Sequence, residues 1–333
     1  MRRTCEATAR RPASLCDDRI VKRAVIECAS AIALAAAPLF AAGCTQARPG
    51  APLDVQSSKL PSPASSRVIV IVMENAEYSE VLGNPAAPYI NALARRYGLA
   101  TQSFAIGHPS LPNYLALTSG STQGVSSDCT DCQVGASNIV DQLEAAGISW
   151  KAYLEDLPGA CFQGAAAGGY AKKHNPFIYF DDIARSPGRC SRLVGFSQLA
   201  ADLRRGRLPT YAWISPNLCD DGHDCGVAGS DRFLARTGPA LLHELGPHGF
   251  LVLTWDEGSS DRGCCGGVAR GGQIATILAG PDVRRGVRES SPVDHYGTLG
   301  TIEEALGLPS LAGATDPSSG RPTGLFARPP HIR

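Results

Sequence analysis

The sequence predicts an α/β fold with a mainly parallel central sheet and helices on both of its faces. Three observations support this prediction. Strand-like and helix-like segments alternate after residue 66, several strand-like segments are apolar throughout, and two of these end abruptly in acidic residues. Alternation of this kind is typical of sheets covered by helices, and strands that are buried on both faces are continuously apolar.

The segments follow one another along a single domain, which we place at residues 67–312. Strands are predicted at 67–73, 99–105, 148–154, 209–215, 249–255 and 274–279, and helices at 87–97, 110–119, 137–147, 197–204, 231–245 and 296–306. Glycine-rich stretches at 159–169 and 258–272 are predicted to be long surface loops. The tail at 313–333 is rich in Pro, Gly and Ser, and we expect it to be loosely ordered.

Bulk composition narrows the class of protein. The chain has 333 residues, 44% of them hydrophobic, which is enough for one sizeable core. The formal net charge is zero, and the sequence lacks the basic stripe that is typical of nucleic-acid-binding proteins. We therefore expect no nucleic-acid partner, and we infer no obligate protein partner.

Residues 1–44 are predicted to be an export signal. Lys22-Arg23 precede an apolar run from Ala24 to Gly43 that ends in small residues of the kind signal peptidases accept. A transmembrane anchor is the alternative, but the run is barely as long as the roughly 20 residues that a span needs. The export signal implies a secreted or cell-envelope protein.

Two details of this segment leave its processing open. Cys44 follows Ala-Ala-Gly and resembles a lipoprotein acylation site, so a lipid anchor at Cys44 stands beside simple cleavage as an alternative. Residues 1–20 are polar and Arg-rich, unlike an ordinary signal n-region, which indicates a misassigned start with the true one near Val21. Residues 45–66 form a predicted flexible linker.

The cysteines agree with export. Eight of the twelve lie after the linker, an even number in a chain routed out of the cytoplasm, so we expect disulfides whose connectivity the sequence does not give. Zinc is the competing interpretation, because Cys129, Cys132, Cys264 and Cys265 could supply four thiolates. Zinc sites usually have two spaced CxxC pairs, and the adjacent Cys264-Cys265 is not one.

The acidic strand ends predict a metal site. Glu74-Asn75 follow the first strand directly, and Asp256-Glu257 follow the fifth. In an open α/β sheet, ligands bind in the crevice at the carboxyl ends of the strands, so both pairs could reach one point. Carboxylate and amide oxygens suit a hard divalent cation, which we expect to be Mg²⁺, Ca²⁺ or Mn²⁺.

Ser110 is the candidate nucleophile. It opens a helical segment just after the second strand, between His108 and Asn113. A serine at a helix start lies beside free backbone N–H groups and the positive end of the helix dipole, which favour a bound anion. Ser110 could also be an ordinary N-cap, but its neighbours and the acidic strand ends favour a catalytic role.

Further candidates lie in three places. The loop from Cys219 to Cys225 holds Asp220, Asp221, His223 and Asp224, a costly cluster of like charge unless a cation or hydrogen bonds offset it. An Asx-rich surface turn is the alternative interpretation of this loop. His295, at the start of the last helix, and the pair Lys173-His174 could contact a phosphate or donate a proton.

Five motifs in order resemble one known family. They are VMENAEY (72–78), HPSLPNYLAL (108–117), PNLCDDGHD (216–224), TWDEG (254–258) and DHYGTLGTIEEALGL (294–308). The set resembles the bacterial phosphoesterase family, which includes phospholipases C and secreted acid phosphatases and belongs to the alkaline phosphatase superfamily. It is most similar to secreted acid phosphatases of actinobacteria that act on phosphatidylinositol 3-phosphate. The resemblance covers nearly everything from Val68 to Leu308.

The resemblance implies a role for each candidate residue. Glu74, Asn75, Asp256 and Glu257 would hold the metal, and Ser110 would form a phosphoserine intermediate. The catalytic set would also include His223 and His295, and the phosphate would be bound by the side chains of His108, Asn113, Lys173, His174 and Asp224. Some relatives carry Asp-Asp where this chain has Asp256-Glu257, and the insert Gly263-Cys264-Cys265-Gly266 has no counterpart that we can place.

These implications favour an exported, metal-dependent phosphomonoesterase that acts on a phosphate ester such as a phospholipid headgroup. A phospholipase C-like phosphodiesterase is the first alternative, because the same ion and serine could open a diester. A non-enzymatic envelope lipoprotein is the second. A serine esterase is disfavoured because there is no GxSxG elbow. A sulfatase is disfavoured because Ser110 lacks the Pro-x-Arg that would follow it in that class.

Overall fold

The computed structural model of the chain describes residues 65–332. The predicted export signal, the acylation site at Cys44 and most of the predicted linker lie outside the described residues. Within them, the strands are β1 Val68–Met73, β2 Gly98–Phe104, β3 Trp150–Leu154, β4 Ala166–Ala167, β5 Tyr170–Ala171, β6 Leu193–Val194, β7 Tyr211–Ser215, β8 Phe250–Trp255, β9 Gln273–Ala279, β10 Arg288–Glu289 and β11 Val293–Asp294.

Nine of these strands form one sheet in the order β10-β2-β9-β8-β1-β7-β3-β6, with β11 also paired to β2. Every pairing in the sheet is parallel except the two made by β9, which runs antiparallel to β8 and to β2. The chain returns from β8 to β9 through a loop without a crossover helix, and such a connection gives antiparallel strands. The predicted α/β class with a mainly parallel sheet is confirmed.

The helices cover both faces of the sheet. They are α1 Tyr78–Val81, α2 Pro88–Arg96, α3 Ser110–Ser119, α4 Ile139–Ala145, α5 Asp181–Ala184, α6 Pro187–Cys190, α7 Phe196–Arg205, α8 Gly226–His243 and α9 His295–Leu306. Each predicted helix matches one of the longer helices within a few residues. Helices α1, α5 and α6 have four residues each, too short to show a helical period in sequence. In the part of the chain that the structure describes, no helix has the length and apolarity needed to cross a bilayer.

Strand β1 lies at the centre of two hydrophobic cores. Its side chains alternate between the faces, so Val70 packs in the core that includes α3 and α9, whereas Ile71 packs in the core that includes α2 and α8. All six residues of β1 are fully buried. This two-sided burial explains why the strand is apolar throughout rather than alternating.

The tail differs from the prediction of loose order. Residues after Gly313 form short 3₁₀ helices at Pro317–Ser319 and Pro322–Leu325. Leu325 and Phe326 are buried in the core, and Phe326 packs edge-on against the Phe250 ring at the start of β8. The apolar residues of the tail therefore pack against the domain. The prediction of loose order relied on the high Pro and Gly content and did not consider these apolar residues.

One edge of the sheet gathers the predicted site residues. Strands β8, β1 and β7 are neighbours and parallel, so their carboxyl ends meet at the same edge. Strands β2 and β11 run in the same direction, because β2 is separated from β8 only by the reversed β9. The segments that follow all five strands therefore emerge together.

Candidate active site

Glu74 lies at the centre of the site. It follows β1 and is almost fully buried. Its Oε2 accepts a hydrogen bond from the Ser110 hydroxyl at 3.1 Å, and its Oε1 accepts one from the Tyr114 hydroxyl at 2.6 Å. Burial alone would raise the pKa of Glu74, but the charge of His174 and the hydrogen bonds from His174 and Tyr114 lower it to about 2. Glu74 is therefore an anion that faces the candidate nucleophile.

Asp256 and Glu257 place two further carboxylates near Glu74. The Ser110 hydroxyl lies 3.3 Å from Glu257 Oε1, and Asp256 Oδ1 accepts a hydrogen bond from the Asn75 main chain at 3.0 Å. Asp256 Oδ2 is buried and has no hydrogen-bond partner within the described structure. Burial and the charges of Glu74 and Glu257 raise the pKa of Asp256 well above its usual value. The three acids repel one another, as expected for a group that a cation would stabilise.

Asn75 connects the two strand ends. Its φ of 49° lies in the left-handed region, which asparagine adopts more readily than most residues. This turn directs the Asn75 main-chain N–H at Asp256 and leaves the side chain exposed on the wall of a cleft. The four predicted metal ligands therefore follow two neighbouring strands, β1 and β8, at the same edge of the sheet.

His174 is buried against two acids instead of lining an open surface. Its Nε2 lies 3.0 Å from Glu74 Oε1, its Nδ1 lies 3.0 Å from Asp221 Oδ2, and its ring stacks on Tyr114. Burial would lower the pKa of His174, but the two carboxylates raise it to about 10. The ring bridges the end of β1 and the loop after β7.

Glu74, His174 and Asp221 could themselves hold a metal ion, because all three are buried and each offers a ligand atom within 4.8 Å of the others. The two carboxylates face different ring nitrogens, so the same arrangement also suits a protonated imidazole. This group shares only Glu74 with the predicted ligand set.

Asp221 is a buried residue of the site that the sequence analysis does not select. Within the acidic loop we favour His223 and Asp224, yet Asp221 is the buried acid. The Cys219–Cys225 disulfide closes the loop, and the Ser230 hydroxyl donates to the Asp221 main chain at 2.9 Å. Gly222 has a φ of 104°, and a Cβ there would lie 2.4 Å from Ser230 Oγ. The loop is thus held in a shape that directs Asp221 inward.

His223 and Asp224 lie at the rim of the site. They pair with each other at 2.7 Å, and their side chains are 32% and 58% exposed. The His223 ring lies 6.1 Å from the His174 ring, which places the pair at the solvent side of the buried network. A rim position is compatible with contact to a substrate that enters from solvent.

Asn113 does not have the free amide that substrate binding requires. It is fully buried, its Oδ1 accepts from Ile106 and Gly107, and its Nδ2 donates to the carbonyls of Gly107 and Pro109. Both donors and both lone pairs are thereby used in the turn that precedes α3. In this structure Asn113 holds the turn that presents Ser110.

His108 and Lys173 are each paired with an acid near the site. His108 Nδ1 contacts Glu257 Oε2 at 2.5 Å, and Lys173 Nζ lies 3.1 Å from Asp128 Oδ2. The charges of Glu74 and Asp256 also act on Lys173, and with Asp128 they outweigh its partial burial and raise its pKa. Lys173 is therefore a cation near the group of carboxylates.

His295 lies behind the carboxylates. It is 1% exposed, and its Nε2 contacts the main-chain carbonyl of Asp256 at 2.6 Å. Burial lowers its pKa to about 4. A neutral, buried imidazole that is bonded to a carbonyl suits holding the Asp256 main chain better than donating a proton to a leaving group.

The eight cysteines after the linker form four disulfides: Cys129–Cys132, Cys161–Cys190, Cys219–Cys225 and Cys264–Cys265. The disulfide prediction is confirmed. The zinc alternative is wrong, because its four thiolates are joined in two disulfides.

Comparisons with known proteins agree with this geometry. Residues 82–309 match the model of the Phosphoesterase family. The chain is 35% identical over 258 residues to a phosphatidylinositol-3-phosphatase of Mycobacterium tuberculosis, covering 76% of this chain and 81% of that protein. It is 34% identical over 264 residues to a probable acid phosphatase of Kluyveromyces lactis, covering 74% of this chain but only 60% of that longer protein.

Among solved structures, the fold is similar to a protein in the alkaline phosphatase superfamily from Vibrio parahaemolyticus. The TM-score is 0.53 at 12% sequence identity, and the match covers 77% of this chain and 71% of the other. At this identity the similarity concerns the fold alone.

Proposed function

The chain belongs to the phosphoesterase family, and from that premise we propose that it is an exported, metal-dependent phosphomonoesterase that uses Ser110 as nucleophile. The family and the phosphatases among its relatives make it a phosphoric ester hydrolase. A non-enzymatic envelope lipoprotein is thereby set aside. The monoester preference, the metal, the role of Ser110 and export are our proposals.

One observation carries the proposal: the Ser110 hydroxyl lies between the carboxylates of Glu74 and Glu257 at the start of α3. Either carboxylate is within reach of the hydroxyl proton. The hydroxyl of an N-cap serine would accept a hydrogen bond from a backbone N–H in the first turn of its own helix. The Ser110 hydroxyl instead donates to carboxylates from two other segments. The position therefore supports nucleophilic catalysis.

A divalent cation fits the residues around Ser110. Glu74, Asp256 and Glu257 offer hard oxygen ligands, and the buried Asp256 Oδ2 lacks a partner that a cation would supply. Asn75, on the wall of the cleft that also borders Glu74, would supply an amide oxygen. When bound, such an ion would lower the pKa of the serine hydroxyl and neutralise charge that develops on the phosphoryl oxygens. Mg²⁺, Ca²⁺ and Mn²⁺ match this oxygen set.

The proposed reaction has two steps. The Ser110 oxygen attacks phosphorus, its proton passes to an adjacent carboxylate, and the P–O bond to the leaving alcohol breaks as that oxygen takes up a proton. Water then attacks the phosphoserine, which restores the serine hydroxyl and releases inorganic phosphate. We assign the binding of the phosphate oxygens or the protonation of the leaving group to Lys173, a cation near the carboxylates, and to the partly exposed His223.

The test compares p-nitrophenyl phosphate with bis-p-nitrophenyl phosphate, with and without a chelator. We expect the monoester to be preferred, chelation to abolish turnover, and Ser110→Ala to lower kcat by about 10³-fold or more. Ser127→Ala, at an exposed serine in a nearby loop, serves as the control. Activity that survives chelation would remove the metal from the proposal, and activity that survives Ser110→Ala would remove the nucleophile.

A phospholipase C-like phosphodiesterase is the second candidate. A cleft of about 680 Å³, lined by α1, the turn that follows it and the start of α8, borders Glu74 and Asn75 and has room for a second substituent on phosphorus. A strong preference for the bis-ester would favour this candidate over ours.

For the natural substrate we propose a phosphoinositide such as phosphatidylinositol 3-phosphate. The relative from Mycobacterium tuberculosis is named for this activity. Phosphate release from the 3-, 4- and 5-phosphates of phosphatidylinositol in mixed micelles tests the proposal. Equal rates on all three, and on small soluble esters, would argue for a broad acid phosphatase instead.

Export is supported by the predicted signal at residues 1–44 and by four disulfides, which are typical of oxidising compartments. Fractionation of the native host with a Cys44→Ala variant tests the lipid anchor. Release of the variant, but not of the natural chain, from the cell envelope would support acylation.

A further inference from the structure

Asp128 connects two parts of the site that come from distant segments of the chain. Its Oδ1 accepts a hydrogen bond from the Leu111 main chain at 2.9 Å, in the first turn of α3 directly after Ser110. Its Oδ2 lies 3.1 Å from Lys173 Nζ. One carboxylate thus bonds both the first turn of the helix that carries the candidate nucleophile and a lysine on which the charges of Glu74 and Asp256 act.

The loop that carries Asp128 is held in place from several sides. The Cys129–Cys132 disulfide closes it. Lys172 Nζ donates to the Thr130 carbonyl at 2.6 Å, and the Tyr179 hydroxyl donates to the Cys129 carbonyl at 2.9 Å. These bonds fix the loop backbone independently of the Asp128 side chain, so removal of that carboxylate need not unfold the loop.

Lys173 requires such a partner. A lysine side chain is a flexible stem with a compact charge, and the charges of Glu74 and Asp256 both act on Lys173. Without Asp128, the ammonium group would be drawn towards those carboxylates and would compete there with a cation. Paired with Asp128, Lys173 keeps its charge beside the carboxylates and available to an incoming phosphoryl oxygen.

We propose that Asp128 is a positioning residue, which holds Lys173 and the first turn of α3 in place so that Lys173 binds the phosphoryl group that Ser110 attacks. This inference rests on the proposed function of Ser110. Asp128 acts through Lys173 and Leu111, and it need not touch the substrate.

The test is Asp128→Asn, which keeps an acceptor for the Leu111 N–H but removes the charge that faces Lys173. We expect KM for p-nitrophenyl phosphate and the inhibition constant of inorganic phosphate to rise together by roughly tenfold to hundredfold, since misplaced binding groups have effects of this size. The kcat value should change by less than about threefold, and Asp128→Ala, which also frees the first turn of α3, should lower kcat further.

Asp131→Asn is the matched control, because Asp131 is an exposed acid in the same disulfide loop. It should behave like the natural chain. Unchanged KM and phosphate inhibition in Asp128→Asn would overturn the inference. So would a loss that merely follows a lower Tm, since that pattern marks a structural role.

Ser110→Ala, run beside these variants, separates the two proposals. If it retains turnover, the proposed function fails whatever Asp128 does. If it is inactive while Asp128→Asn binds phosphate normally, only the positioning role fails.

Discussion

The buried and exposed parts of the site are built in different ways. Glu74, Asp256 and His174 are almost completely buried, and their positions follow from strand register and from contacts with one another. His223 and Asp224 are exposed, and the disulfide-closed loop after β7 holds them at the rim. In the low dielectric of the interior each buried charge acts strongly on its neighbours, whereas solvent weakens the charges at the rim. We therefore expect large effects from the buried group and small ones from the rim.

Among the buried charged groups, the largest effect is expected from Asp256→Asn. This change removes a carboxyl group that a bound cation would hold in its ionised form, and it keeps the shape of the side chain. We expect kcat/KM to fall by about 10³-fold, comparable to the loss of a group that acts on the transition state. Steady-state kinetics over a range of Mg²⁺, Ca²⁺ and Mn²⁺ concentrations measures the loss, and the cation should raise the Tm of the natural chain far more than that of the variant.

Glu303→Gln is the control for this change. Glu303 is also a fully buried acid with an unpaired oxygen. It lies on α9, and none of the site's carboxylates contributes to its pKa. Equal losses of activity in the two variants would mean that burying an acid matters more than its place in the cluster, and the metal proposal would lose its main support.

Much of the fold could be predicted because the determinants are local. The run at β1 is apolar over its whole length and the run at β8 is apolar apart from Thr254, and in each the acidic residue follows the strand directly in the sequence. Parallel strands then bring those ends to one edge without further information. The reversed direction of β9 does not follow from its own residues, since it depends on the loop that precedes it.

Much of the site's inner structure could not be predicted because it depends on distant partners. Asp221 and Asp224 are the same residue type in one acidic loop, and only the fold buries the first and exposes the second. Asn113 is a plausible substrate ligand until the turn before α3 is seen to use its whole amide. Asp128 lies 45 residues from Lys173, and no pattern in the sequence links them.

The buried Glu303 also makes the stability of the fold depend on pH. Burial raises the pKa of Glu303 to about 7 from an ordinary value of 4.5. Because the folded state binds this proton more tightly than the unfolded state, the group lowers stability progressively as pH rises from about 4.5 to about 7.

Glu303→Gln removes this titration and keeps an oxygen for the Leu311 N–H, which bonds Glu303 Oε1 at 2.9 Å. We expect the variant to be more stable than the natural chain at pH 8 by at most about 3 kcal/mol, and the two to be equally stable near pH 4.5. Urea denaturation at both pH values measures the difference. A gain of the same size at both would show that packing, rather than charge, is responsible.

The smallest effect is expected at the rim, from His223→Ala. The imidazole is partly exposed and paired with the exposed Asp224, so its removal should leave Tm within a degree or two and lower kcat/KM by roughly 10²-fold, the lower end of the range for a proton-transfer group. His331→Ala, at an exposed histidine in the C-terminal tail, is the control.

A leaving group with a low pKa, such as p-nitrophenol, needs little protonation, whereas an alkyl alcohol needs much. If His223 donates that proton, the loss should be larger for an alkyl phosphate than for p-nitrophenyl phosphate; equal losses would assign His223 to phosphate binding, and a loss near 10³-fold would place the rim on a par with the buried carboxylates.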